Sequence, residues 1–103
     1  MLSMNTSSKA RFSLGQCLST PSALEAIAEA GQNLAEFLIR HVQGDWGDMS
    51  ADDKQLNDEA LVDGSRIMSA YRTSKGTKIW IITEAADENG HRCATTALKP
   101  EEY

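Results

Sequence analysis

At 103 residues the chain fits one domain, long enough for a modest core without disulfide or metal staples. Apolar content of 41% and charged content of 24% are ordinary for a globular protein, and 6% aromatics imply a mostly aliphatic core. A formal charge of −5 argues against simple nucleic-acid binding, which needs lysine and arginine on phosphates, and against an anionic membrane surface.

Met1–Lys9 is rich in serine and threonine and lacks an apolar run, so it does not read as a signal peptide. Residues 1–10 are expected to form a disordered tail, with Met4 an equal candidate for the true start, and residues 11–103 a single domain. Phe12, Leu14, Gln16 and Leu18 alternate over Arg11–Ser19, which predicts a strand kinked at Gly15. Thr20-Pro21 reads as an N-cap with proline at the first helical position, and Leu24, Ile27 and Ala28 give that helix a short apolar stripe ending at Gly31. Asn33 with Glu36 is a capping-box start. The helix behind it lines up Leu34, Phe37, Leu38, His41 and Val42 and stops at Gly44. His41 reads as a packed histidine with one hydrogen bond. After a polar loop, Ser50 opens a third helix with a thin apolar face of Leu56, Ala60 and Leu61, closed by Gly64.

The last third contains three runs rich in β-branched and aromatic residues, Arg66–Thr73, Thr77–Ala85 and His91–Leu98, separated by Ser74-Lys75-Gly76 and Asp87-Glu88-Asn89-Gly90. They predict an antiparallel meander. Its middle strand is apolar on both faces, with Trp80 and Ile82 on one and Ile79, Ile81 and Thr83 on the other, so it belongs in the sheet interior with helices covering one face. The expected fold is α+β, three short helices on a four-stranded antiparallel sheet in the order β-α-α-α-β-β-β.

The loop and third helix carry Asp45, Asp48, Asp52, Asp53, Asp58, Glu59 and Asp63 against Lys54 alone, a local balance of −6. Such a run suits a solvated helix face, and its early acids suit the helix dipole. It also suits a surface that docks a basic partner, with charge steering association. Trp46, between two glycines in a polar loop, either lids the core or anchors an interface. The candidate contact residues are Asp45, Trp46, Asp48, Asp52, Asp53 and Glu59.

A different chemistry lies at the strand ends. Glu84, His91 and Arg92 are a base, an acid and a phosphate holder of the kind that cleaves RNA through its 2′-hydroxyl. A positive groove for that task would have to be assembled from Arg66, Arg72, Lys75, Lys78 and Arg92. Charged strand ends are also common without catalysis. No short-spaced ligand pair points to a metal, no nucleotide fingerprint is present, and no cofactor is expected. Cys17 and Cys93 read as reduced, partly buried thiols of a cytoplasmic protein.

Phe37-Leu38-Ile39-Arg40-His41, Gly44-Asp45-Trp46-Gly47, Ser69-Ala70-Tyr71, Gly76 through Ala85 and Pro100-Glu101-Glu102-Tyr103 together resemble a family of small uncharacterised proteins of plasmids, integrative elements and phages. The likeness spans roughly Phe12 to Tyr103. The chain departs from that pattern at Ala86–Cys93, where its hairpin is longer; Arg92, Thr95 and Thr96 match. In architecture alone the element order is similar to barnase-like RNase toxins. The mobile-element resemblance, small size and acidity together imply a binding module that inhibits a host protein or defence complex, of the anti-CRISPR or other anti-defence type. Its expected partner is a host protein with a basic surface. The alternative is a small metal-independent endoribonuclease toxin using Glu84, His91 and Arg92.

Overall fold

The computed structural model of the protein describes residues 10–103. The tail expected over residues 1–10 lies, apart from Ala10, outside the described residues. The elements run β1 (Gln16–Ser19), α1 (Pro21–Glu29), α2 (Leu34–Val42), α3 (Ala51–Asp63), β2 (Ile67–Arg72), β3 (Lys78–Thr83) and β4 (Ala94–Leu98), then a 3₁₀ turn at Pro100–Glu102. The described residues form an α+β fold with three helices and one four-stranded sheet.

Short polar side chains start each helix. Thr20 Oγ1 accepts the Ala23 amide at 3.2 Å, and Pro21 fills the position where a missing amide costs nothing. Asn33 and Glu36 bond reciprocally, each at 3.2 Å, in a full capping box. Ser50 Oγ accepts the Asp53 amide at 3.1 Å, and α3 ends on Gly64 in the left-handed region at φ +83°.

The sheet order is β1-β4-β3-β2, so β3 is interior as its two-faced apolar pattern implies. Both hairpins are antiparallel, but β1 joins β4 in parallel, with Gln16 beside Ala94 and Ser19 beside Ala97. The sheet is therefore mixed, which corrects the expected all-antiparallel arrangement. Tight turns dictate direction within the meander. The β1–β4 pair closes across most of the chain, and no local turn sets its direction. β1 is also shorter than expected. Its lead-in kinks at Gly15, φ +63°, where a Cβ would overlap the Arg92 carbonyl oxygen.

Alternation divides the sheet into two faces. Tyr71, Ile79, Ile81 and Ala97 pack beneath Ala23 and Ile27 of α1 and Phe37 of α2. A smaller cluster joins Trp46, Ala60 of α3 and Ile67 of β2, with Phe12, Met49 and Leu61 against it. The opposite face carries Met68, Ile82, Thr96 and Leu18 as one cross-strand row, and Ala70, Trp80 and Leu98 as the next. The chain end folds over that second row, where the Tyr103 ring meets Trp80 edge-on at 5.6 Å.

A buried polar chain crosses the helix-covered face. His41 of α2 is fully buried, with Nδ1 at 2.5 Å from Ser69 Oγ and Nε2 at 2.9 Å from Thr83 Oγ1. Thr83 continues to Thr95 at 2.7 Å, and Thr95 donates to the Leu14 carbonyl at 2.7 Å. One proton per hydroxyl fixes the directions from Leu14 back to the imidazole: Thr95 gives its proton to Leu14, so Thr83 donates to Thr95 and His41 Nε2–H donates to Thr83. Burial keeps the imidazole neutral, so Ser69 donates to Nδ1, and the ring makes two hydrogen bonds, where the sequence pattern implied one. Burial pushes its pKa down to about 4. The chain ties α2, β2, β3, β4 and the lead-in to β1 in one register.

Candidate protein-interaction surface

The loop between α2 and α3 lies along the outer edge of β2. Ala70 N donates to the Trp46 carbonyl at 3.1 Å, and Asp48 N donates to the Ala70 carbonyl at 2.6 Å. Gly47 pairs there as a one-residue bridge at φ +80°. Any side chain at Gly47 would collide with the Ala70 carbonyl and the Tyr71 ring, so glycine is what lets the loop approach so closely.

Two residues further up β2, α3 takes over. Asn57 Nδ2 donates to the Met68 carbonyl at 2.7 Å, and Met68 N donates to Asn57 Oδ1 at 3.2 Å. The carboxamide thus imitates a neighbouring strand, and the outer edge of β2 is covered at Met68 and Ala70. This contact decides how α3 sits. Asn57 and Ala60 turn inward, and Leu56 is left 61% exposed. The expected apolar face through Leu56 is therefore corrected: the amide, with two backbone groups to satisfy, wins the inward position over the leucine.

Trp46 is 4% exposed and donates from Nε1 to Asp58 Oδ1 at 3.0 Å. Its ring lies against Phe12 and His41. It lids the core and is not open to a partner, which removes it from the candidate contact set. Asp45 and Asp48 stay at the surface but are taken by arginines. Arg40 meets Asp45 at 2.7 Å, and Arg72 meets Asp48 at 3.3 Å. The Arg40 bond holds the Asp45 carboxyl below the usual carboxylate range. These two pairs, with Tyr71 and Ala70 between them, line an open cavity of about 390 Å³. The Tyr71 hydroxyl donates to the Asp45 carbonyl at 2.5 Å, and Arg40 stacks over the Tyr71 ring at 4.4 Å.

Asp52, Asp53 and Glu59 are exposed on α3. Helical spacing puts Asp52, Leu56, Glu59 and Asp63 in one outward stripe, with Asp53 beside it. Between that stripe and the sheet is a second cavity of about 190 Å³, lined by Met49, Asp53, Leu56, Asn57, Arg66 and Met68.

The strand-end residues do not assemble into a comparable site. Arg92 is 4% exposed, and its guanidinium donates to the carbonyls of Ala60 at 3.0 Å, Ser65 at 2.8 Å and Glu84 at 3.1 Å. It closes the C-terminal end of α3, where a cation suits the dipole. Glu84 is exposed one residue past β3, where alternation puts it on the face opposite Thr83. His91 is exposed in the hairpin before β4, where its amide donates to Asp87 Oδ1 at 2.9 Å. The structure joins Arg92 to the main chain of Glu84 and leaves the Glu84 and His91 side chains in solvent. Cys17 and Cys93 are free and both exposed, which corrects the expectation of partly buried thiols. Among the described residues, no three His, Cys, Asp or Glu side chains converge on one point, and no helix is long and apolar enough to cross a membrane.

No protein-family model matches the chain, and no curated protein or solved structure matches it.

Proposed function

We propose that the protein is an acidic binding module that inhibits a host protein by covering a basic surface, with the outward face of α3 as its contact surface. One observation carries this reading. α3 is a thirteen-residue helix that buries only Asn57 and Ala60, and it turns Asp52, Asp53, Glu59 and the apolar Leu56 to solvent together. A helix that served only the core would turn Leu56 inward as it does Leu61. Asp45 and Asp48 border the surface, and their arginine partners lower the charge they offer. The finer reading, an anti-CRISPR or other anti-defence inhibitor carried by a mobile element, rests on the resemblance of the loop and meander strings described above and on the module's size and charge.

The RNase alternative has less support, because the arginine it assigns to phosphate is already bonded to three carbonyls. The test is capture from host lysate by the wild-type chain and by a variant carrying Asp52→Lys, Asp53→Lys and Glu59→Lys. The expected result is a partner that is held by the wild type, released by salt and absent with the variant. Retention of every captured protein by the folded variant overturns the reading.

A further inference from the structure

The cavity between α3 and β2 is lined by the flexible apolar side chains of Met49, Leu56 and Met68, by Asn57, and by one acid and one base, Asp53 and Arg66. Met49 comes from the loop, Met68 from the open face of the sheet, and Leu56 from the outward stripe of α3. Met68 also begins the row that continues through Ile82 and Thr96 to Leu18, so the cavity adjoins the uncovered face of the sheet. Asp53 lines it, and Asp52 lies one residue before that on α3. Arg66 closes the far side, with its guanidinium drawn over the Tyr103 ring at 5.5 Å.

We infer that this cavity seats one large apolar side chain, such as leucine or methionine, from a lysine- or arginine-rich segment of the partner. The inference rests on the proposed function and specifies it. Charge complementarity selects the segment: Asp52, Asp53 and Glu59, each within one helical turn of Leu56, outnumber Arg66 and meet basic residues flanking the anchor. Methionine suits the task because its unbranched thioether adapts to differently shaped guests. A central apolar anchor ringed by weaker polar contacts is also the usual arrangement of an energetic hot spot. The acids therefore set encounter and charge preference, and the Met49–Leu56–Met68 floor sets residence time.

The test is an NMR titration of the full chain, methyl- and amide-labelled, with two synthetic peptides. One is lysine-rich with a single central leucine, and the other has serine at that position. The leucine peptide is expected to shift the Met49, Leu56 and Met68 methyl signals saturably and to bind about tenfold more tightly than the serine peptide. Leu56→Gln, at a solvent-facing position, should bring the two affinities together without changing the thermal midpoint. Equal, salt-sensitive binding of both peptides to α3 overturns the anchor and leaves the acidic surface standing. Shifts confined to another part of the molecule, or no shifts with either peptide, overturn both.

Discussion

Acidification from pH 7 to pH 5 should remove about 2 kcal/mol of stability through His41 alone. In the folded protein burial keeps the His41 imidazole neutral, with Nε2–H donating to Thr83 and Ser69 donating to Nδ1. Burial lowers its pKa from 6.5 to about 4. The unfolded chain then binds more protons than the folded one throughout that interval, so stability rises with pH across it and falls as the pH is lowered. At about 1.4 kcal/mol per pKa unit, the full contribution is about 3 kcal/mol, intact above pH 6.5 and gone below pH 4. The carboxylates held below their usual range, Asp45, Asp63, Asp87 and Glu102, lose their contributions only as the pH falls below ordinary carboxylate values, outside most of this window. Urea unfolding of the wild type and of His41→Gln between pH 7 and pH 5 isolates the histidine, since the amide keeps a donor and an acceptor and does not titrate. The two stability curves should converge by about 2 kcal/mol over that range. Parallel curves, or an imidazole that titrates near 6.5 by NMR, refute the reasoning.

Other substitutions probe the elements that position the surface. Gly47→Ala should destabilise the fold by about 2 kcal/mol or more, combining left-handed strain with overlap at the Ala70 carbonyl, and chemical denaturation reads it. Asn57→Ala should cost about 2 kcal/mol and raise amide exchange at Met68, because it strips both partners from that residue's main chain. Arg92→Met should cost about 3 kcal/mol by orphaning three carbonyls, and an unchanged thermal midpoint would show that the guanidinium is not structural. Trp46→Ala should cost about 3–5 kcal/mol in thermal or urea unfolding, as removal of a buried, hydrogen-bonded indole does.

Local rules made much of the fold legible. Thr20, Asn33 and Ser50 announce their helices because a capping side chain acts within three residues, and Ile79–Thr83 declares an interior strand because alternation fails on both faces. What was not legible depends on distant partners. The direction of β1 is set by a pairing with β4, far along the chain. The rotation of α3 is set by Asn57 meeting the Met68 main chain, and an apolar count reads an asparagine as a surface residue. Arg92 falls inside the expected His91–Leu98 run, but β4 begins only at Ala94, and only the fold reveals the three carbonyls around it. For Trp46, composition left lid and anchor nearly balanced. The deciding partners, Asp58 and Phe12, lie on different elements. The acidic run itself was readable, but its division into arginine-held Asp45 and Asp48 and outward Asp52, Asp53 and Glu59 was not.

The most direct measurement is an amide hydrogen-exchange footprint of the protein with and without its captured partner. Slower exchange along residues 49–63 and at Met68, with Glu84–His91 unchanged, is the predicted result. Protection centred on Glu84–His91 or on Gln16–Ser19, with α3 exchanging as in the free protein, would contradict the account.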